Sequence, residues 1–436
     1  MNIIDIINKK RLKQKLTTAE IVFFVNEYTS KKTITDYQAA ALLMAIVING
    51  MDEQETYDLT KAMLDSGDIY DFSKIKGIKI DKHSTGGIGD KVSLILAPIC
   101  ACFGLKVAKM SGRGLGFTGG TIDKLESIKF DFNLKNGEEF KLLNDPGLFI
   151  MCQTDRIAPA DGIIYALRNS SGTVESIPLI ASSVVSKKLA LNTDCIFIDV
   201  KCGNGAFMKN EQSATALAKC MLNILTKFKK KSVISITTME QPLGRAIGNG
   251  IEVKAAIDFL NGHPEADTIK ELIYRFISEI LITTKVEKNQ TAAFKAIDEV
   301  IKSKQGINKF LAWVKAQKAD MKLINSGQYF APKYTYKIPA KTAGFVSYKS
   351  TEELGMVALL LGAGRIKKTD PIDYHAGIWL DKIHNEKAKK GEVLATLYSS
   401  KPIEQSVIDR FNNNVIIKTT KLQNYPTILK SFSNVK

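Results

Sequence analysis

From about residue 75, short β-rich runs alternate with helical ones, and this rhythm restricts the fold more than any other feature of the chain. The runs are Ile78 to Asp81, Val107 to Ser111, Leu148 to Thr154, Ile196 to Val200 and Val233 to Thr237. Strands separated by helices pair in parallel, because the crossover helix returns the chain to the edge it started from. A mainly parallel sheet flanked by helices is therefore expected. Ligands of such sheets gather at the carboxyl ends of the strands, so the loops that follow these runs are the first place to look for chemistry.

The remaining stretches belong to other units. The first 65 residues have apolar side chains at helical spacing, with capping boxes at Thr17/Glu20 and Thr35/Gln38 and a first helix expected over Met1 to Leu16. A second helical stretch, about residues 160–191, interrupts the β-rich part and is expected to rejoin those helices. After about residue 330, short strands and glycine turns at Gly344, Gly355, Gly362 and Gly364 take over. At 436 residues the chain has room for two or three cores. The expected class is α/β: a small all-helical domain (1–65 and 160–191), a large α/β domain with a mainly parallel sheet (75–159 and 192–330), and a C-terminal α+β unit (331–436).

A net charge of +16 invites a nucleic-acid reading. The lysines are spread along the chain, however, and the densest run (Lys227, Lys229, Lys230, Lys231) has no interleaved aromatics. It reads as a solvated face, and no nucleic-acid partner is expected. Six cysteines form no C-x-x-C pair, and no apolar stretch approaches the ~18 residues a membrane span needs, so a cytoplasmic protein with no membrane partner is expected.

Two loops carry most of the chemical information. Lys82-His83-Ser84-Thr85-Gly86-Gly87-Ile88-Gly89-Asp90 follows the first β-rich run and opens a helix expected to reach Phe103. Glycines let backbone amides converge on an anion, and a helix start presents free N–H groups. Taken alone, such a turn is equally compatible with a structural role. The second β-rich run leads into Ser111-Gly112-Arg113-Gly114-Leu115-Gly116-Phe117-Thr118-Gly119-Gly120-Thr121, again glycines with hydroxyls and a cation. Side by side, the two loops surround one phosphate with Lys82, Ser84, Ser93, Ser111 and Thr121. Neither fits the Walker pattern or the dinucleotide fingerprint. A third constellation lies in the helical insertion, where Ser183 and Lys187 fall four apart on one helix face after Pro178. By itself that pair is a solvated stripe as readily as a site. With Arg168 it offers donors suited to the carbonyl oxygens and ring nitrogen of uracil or thymine.

Together these segments resemble the thymidine and pyrimidine-nucleoside phosphorylase family, the second structural class of nucleoside phosphorylases. The string S-G-R-G-L-G-x-T-G-G-T-x-D-K-L-E at Ser111 to Glu126 is nearly diagnostic. K-H-S-T-G-G, Y-A-L-R, S-I-P-L-I and D-V-K-x-G-x-G-A-F-M (Asp199 to Met208) appear in family order over essentially the whole chain. The resemblance implies a pentosyltransferase that splits uridine, thymidine and deoxyuridine reversibly into free base and α-(deoxy)ribose 1-phosphate, with inorganic phosphate as co-substrate. It implies a homodimer. Lys82, Ser84, Ser93, Ser111 and Thr121 would bind phosphate with Lys109 nearby. Arg168, Ser183 and Lys187 would hold the pyrimidine, and His83, Arg168 and Lys187 would be the catalytic side chains, with His83 a proton donor near the base O2.

The sequence departs from the family at two points. Phe117 stands where a histidine is usual, so an apolar wall against the base is expected there. Family members that hold a potassium ion use carbonyls near Gly89, Leu243 and Ala246 with a glutamate; here Lys91 follows the Gly-Asp pair and Ala255 replaces the carboxylate. Lys91 is expected to occupy the cation's place, giving activity without potassium and with no other cofactor. Lys109 is similar to the broad pyrimidine branch, which favours both uridine and thymidine over a strict thymidine phosphorylase. Two rivals stay open: a phosphoribosyltransferase of the anthranilate type, needing magnesium through acidic pairs, and a non-catalytic basic nucleic-acid-binding protein. Asp123 and Glu126 are the acidic residues that the former would use, and they are read instead as structural partners of Arg113 and Lys124.

Overall fold

The computed structural model describes every residue except 31, 115–118, 136, 266, 366, 368–369 and 436. The N-terminal helical spacing yields α1 (Ile3–Arg11), α2 (Thr18–Thr29), α3 (Asp36–Asn49) and α4 (Glu53–Asp65). Thr17 Oγ1 accepts from Glu20 N at 3.3 Å while the Glu20 carboxylate accepts from Thr17 N at 2.6 Å, a reciprocal box. At α3, the Gln38 side chain accepts from Thr35 N at 3.0 Å. The first helix ends at Arg11 rather than Leu16, because Lys13 takes a φ of +62°, which a right-handed helix cannot continue through.

The β-rich runs become β1 (Lys79–Ser84), β2 (Lys106–Ser111), β3 (Leu148–Cys152), β4 (Cys195–Cys202) and β5 (Lys231–Thr238). They pair in parallel in the spatial order β5-β4-β1-β2-β3. Between and after them lie α5 (Val92–Cys102), α6 (Thr121–Glu126), α7 (Glu138–Asn144), α8 (Pro159–Ser171), α9 (Ile177–Ala190), α10 (Glu211–Lys227), α11 (Gly250–Leu260), α12 (Asp267–Thr283), α13 (Gln290–Lys302) and α14 (Gln305–Ala316). Alternate residues of β4 enter opposite cores: Cys195 and Phe197 face α5, α12 and α14, whereas Ile198 and Val200 pack towards α9 and α10. Burial on both faces explains why this strand reads as one continuous apolar run.

Helix α9 bridges two cores. Leu179, with Ala160 and Ile164 of α8, packs among α1 to α4; Ala181, Val185 and Leu189 pack on the sheet. A side chain on α9 is thereby fixed against the helical bundle and the sheet at once.

The C-terminal region adds antiparallel sheets. With β6 (Ala246–Gly248), β7 (Tyr334–Pro339), β8 (Gly344–Tyr348), β9 (Gly377–Leu380), β10 (Lys387–Ala388), β11 (Val393–Ser399), β12 (Val415–Lys418) and β13 (Ile428–Ser433), the orders are β10-β8-β12 and β6-β9-β11-β7. Two strands cross between units. β6 leaves the α/β segment to pair with β9, and β13 returns to the main sheet as an antiparallel edge on β5. No described helix is long and apolar enough to cross a membrane.

Candidate active site

Strand β1 continues past Asp81, so Lys82, His83 and Ser84 are strand residues in register with Phe197, Ile198 and Asp199 of β4. Ser84 and Ser111 end the neighbouring strands β1 and β2, Ser93 is the second residue of α5, and Thr121 opens α6. These positions share the carboxyl edge of the sheet.

A buried charge network underlies them. Asp199 Oδ2 meets Lys201 Nζ at 2.7 Å and Lys82 Nζ at 3.4 Å, and its Oδ1 accepts from Thr237 Oγ1 at 2.6 Å. Lys188 Nζ pairs with Asp81 at 2.9 Å and donates to Met110 O at 2.9 Å. Lys109 Nζ donates to Lys82 O at 2.5 Å, and burial, with repulsion from Lys188, pushes its pKa down to about 7. Ser84 Oγ donates to Asp90 Oδ2 at 2.5 Å. Burial opposes ionisation of Asp90, but Lys82 and Lys201 overcome it and hold the carboxyl well below its usual range. Lys82, Lys188 and Lys201 thus balance Asp81, Asp90 and Asp199, which leaves Lys109, poised near neutrality, as the group that a bound anion would hold in its charged form.

His83 feels the same surroundings. Burial, followed by Lys188, Lys109, Lys187 and Lys82, holds its imidazole neutral. A neutral ring offers one N–H as a hydrogen-bond donor and has no surplus proton to transfer.

The pair on α9 forms as its spacing suggests. Lys187 Nζ donates to Ser183 Oγ at 3.0 Å, to the Asp161 carboxylate of α8, and lies 6.0 Å from the centre of the Tyr165 ring. Arg168 is arranged differently. It is 1 % exposed, and its guanidinium donates to Thr173 O at 3.1 Å, Val174 O at 2.7 Å and Leu179 O at 3.0 Å. These bonds hold the turn between α8 and α9 and direct three of its N–H donors to backbone.

Sequence reasoning missed Asp161, Lys188, Asp81 and Lys201. Lys201 had a signal, the D-V-K string of the family motif. Asp161, in the first turn of α8, had none beyond its helix position.

Lys91 is fully buried. Its Nζ donates to Leu243 O at 2.6 Å and Gly89 O at 3.0 Å, two of the three carbonyls that the resemblance assigns to potassium. Burial lowers its pKa, and the Glu265 and Glu252 carboxylates work against that. Gly89 has φ +76°, and a Cβ there would stand 2.8 Å from Leu243 O, so only glycine lets this carbonyl approach. Lys91 thus puts an ammonium on two of the oxygens to which the resemblance assigns potassium.

In the second loop, Arg113 pairs with Glu126 at 2.6 Å and lies 3.5 Å from Asp123. Lys124 does not join them, as the local spacing had suggested. It crosses instead to Glu252 at 3.3 Å and donates to Gly119 O at 2.8 Å, because its side chain points into the core shared with α11. Phe117 lies outside the described residues. The lysine run is remote from all of this: Lys229, Lys230 and Lys231 line a cleft of about 480 Å³ with Asp194, at the amino ends of β4 and β5.

Comparison with known proteins gives the family of the chain. The glycosyl transferase family a/b domain matches residues 76–306, its helical bundle domain residues 4–67, and the pyrimidine nucleoside phosphorylase C-terminal domain residues 345–418. The thymidine phosphorylase of Mycoplasmoides pirum is 49 % identical over 414 residues, covering 94 % of this chain and 98 % of its own. The pyrimidine-nucleoside phosphorylase of Bacillus subtilis (strain 168) is 46 % identical over 420 residues, covering 96 % of each. Among solved structures, anthranilate phosphoribosyltransferase from Thermus thermophilus superposes with a TM-score of 0.58 at 16 % identity, over 72 % of this chain and all of that one, a likeness of fold.

Proposed function

The chain belongs to the thymidine and pyrimidine-nucleoside phosphorylase family, and from that premise we propose how its own residues carry out phosphorolysis of pyrimidine nucleosides. Phosphate binds over Lys82, Ser84, Ser93, Ser111 and Thr121, with Lys109 beside it. The observation that carries this is the cluster of buried lysines, Lys82, Lys109, Lys188 and Lys201, under the carboxyl ends of β1, β2 and β4. A phosphate oxygen forms a bond to the anomeric carbon from the face opposite the base as the bond to N1 breaks. The electron pair of that bond leaves with the pyrimidine, which then takes up a proton. Inversion gives the α-sugar 1-phosphate, and no covalent enzyme intermediate is required.

The difficult step is departure of the base anion. Lys187, held by Asp161 and Ser183, supplies the cation nearest to it, and neutral His83 supplies a hydrogen bond at O2. Arg168 contributes by holding the α8–α9 turn that carries Lys187's neighbours, a role its three carbonyl bonds support. Breadth towards both uridine and thymidine is inferred from Lys109. The test is incubation with uridine, thymidine, deoxyuridine and cytidine, with and without phosphate, following free base by chromatography. Phosphate-dependent release from uridine and thymidine is expected. Release from deoxynucleosides alone would make the enzyme a strict thymidine phosphorylase. No release from any substrate would sink the proposal. The transferase rival is disfavoured because Asp123 and Glu126 are engaged by Arg113 and are not free to bind magnesium.

We also infer a homodimer. Helix α3 exposes Tyr37 (74 %), Met44 (37 %) and Ile48 (73 %) at helical spacing, beside Ile4 of α1 at 46 %. A continuous apolar stripe of this kind marks a surface that another chain covers. Light scattering after gel filtration should give twice the chain mass for the wild type and a monomer for a Tyr37→Glu/Ile48→Glu variant. A monomeric wild type would refute the inference.

A further inference from the structure

We infer that Arg365, in the C-terminal unit, is a positioning residue for the phosphate site, an inference that rests on the phosphorylase reading above. Residues 112–114, after Ser111, and 119–120, before Thr121, lie against each other and are clipped by one carboxylate. Asp123 Oδ2 accepts from Gly114 N at 2.5 Å on one limb and from Gly120 N at 3.1 Å on the other. The limbs touch there. A Cβ on Gly120 would fall 2.2 Å from Gly114 N, so no other residue permits the crossing. Ser111 and Thr121 stand just outside this clip, which sets their separation.

The other oxygen of Asp123 is where the C-terminal unit intervenes. Arg365 Nη1 donates to Asp123 Oδ1 at 2.7 Å, and Arg365 Nη2 lies 3.8 Å from Glu126 Oε2. Tyr374 Oη donates to that same Glu126 oxygen at 3.0 Å. Arg113 approaches Asp123 only to 3.5 Å and is half exposed, so Arg365 is its closer partner. The segment carrying Arg365 and Tyr374 is itself anchored to the start of α11: Asn249 Nδ2 donates to Ala363 O at 2.7 Å, and Gly250 N to Tyr374 O at 3.2 Å. Asp123 is 1 % exposed, and Arg365, bonded to Oδ1, offsets the cost of burying the carboxylate whose other oxygen holds the two backbone amides. The C-terminal unit thereby fixes the distance between Ser111 and Thr121 without reaching the phosphate.

The experiment compares wild type, Arg365→Ala, Arg365→Lys and Tyr374→Phe. Each is measured for the KM of phosphate and of uridine, for kcat, and by calorimetry for direct binding of inorganic phosphate. Arg365→Ala should weaken phosphate about tenfold by both measures, the size expected when a charge-assisted bond ordering a loop is lost, and change the uridine KM little. Arg365→Lys, which keeps the charge, should recover part of the loss, and Tyr374→Phe should lose less. Unchanged phosphate binding in Arg365→Ala would overturn the inference while leaving the phosphorylase reading intact. Equal loss for both substrates would also overturn it, pointing to general destabilisation. A wild type that neither releases base nor binds phosphate would overturn both.

Discussion

Replacing Lys91 by methionine is expected to destabilise the enzyme by about 3–5 kcal/mol, the usual result of removing one member of a buried charged cluster. The cause is local. Lys91 Nζ is the donor to Gly89 O and Leu243 O, and it answers the negative charge of Glu265 and Glu252. Methionine fills the same volume but leaves both carbonyls without that donor and both carboxylates without that cation. Gly89 and Leu243 belong to the segments that follow β1 and β5, so their loss of contact loosens the phosphate loop where it meets the start of α11. Urea denaturation checks the stability, and a midpoint equal to the wild type would refute the account. The companion result concerns the cation. Wild-type enzyme dialysed free of potassium should retain full activity, whereas Lys91→Ser, which opens the carbonyls, should gain activity when potassium is added. Loss of wild-type activity on dialysis, restored by potassium alone, would show that Lys91 does not stand in for the ion.

Features that depend on neighbouring residues were legible in the sequence. The parallel strands of the main sheet were legible because β-branched and apolar side chains mark a strand buried on both faces, and the largest boundary shift falls at the end of β1. β1 runs on through Lys82, His83 and Ser84, whose polarity ends the apolar signal but whose backbone still pairs with β4. The Thr17 cap and the Ser183–Lys187 pair were legible for the same reason, since helical geometry fixes which residues meet.

Features that depend on residues brought together from afar were not. β13 (I-L-K-S-F-S) shows no regular apolar alternation, and only its pairing with β5 (Ser431 opposite Ser235) makes it a strand of the main sheet. Arg168 reads as a free cation in Y-A-L-R, and nothing nearby says that the carbonyls of Thr173, Val174 and Leu179 will take three of its N–H donors. Lys124 is adjacent to Asp123, yet side chains one apart on a helix point in different directions, and the partner came from α11. The network below the phosphate loops shows both sides: its lysines and aspartates were partly visible in the motifs, but which carboxylate neutralises which ammonium is a property of strand register.

Lys187→Met should lower kcat by about 10²–10³-fold, the loss typical of removing one group that stabilises charge developing in a transition state. Lys187 of α9 is held by Ser183 and Asp161, and on the mechanism proposed its charge is needed only as the base departs. Binding of phosphate, which we place on β1, β2 and the residues that follow them, should be almost unaffected, so the phosphate KM should stay near the wild-type value. The variant also strands the Asp161 carboxylate, which is 2 % exposed and pairs with Lys187. Lys187→Met/Asp161→Asn removes that buried charge and separates misfolding from lost catalysis; it should melt like the wild type yet remain slow. The sharper test varies the leaving group. A 5-nitro or 5-fluoro substituent makes the pyrimidine a better anion that needs less help, so the deficit of Lys187→Met should shrink along the series uridine, 5-fluorouridine, 5-nitrouridine. A deficit that is constant across the series would assign Lys187 to binding the nucleoside rather than to stabilising the departing base.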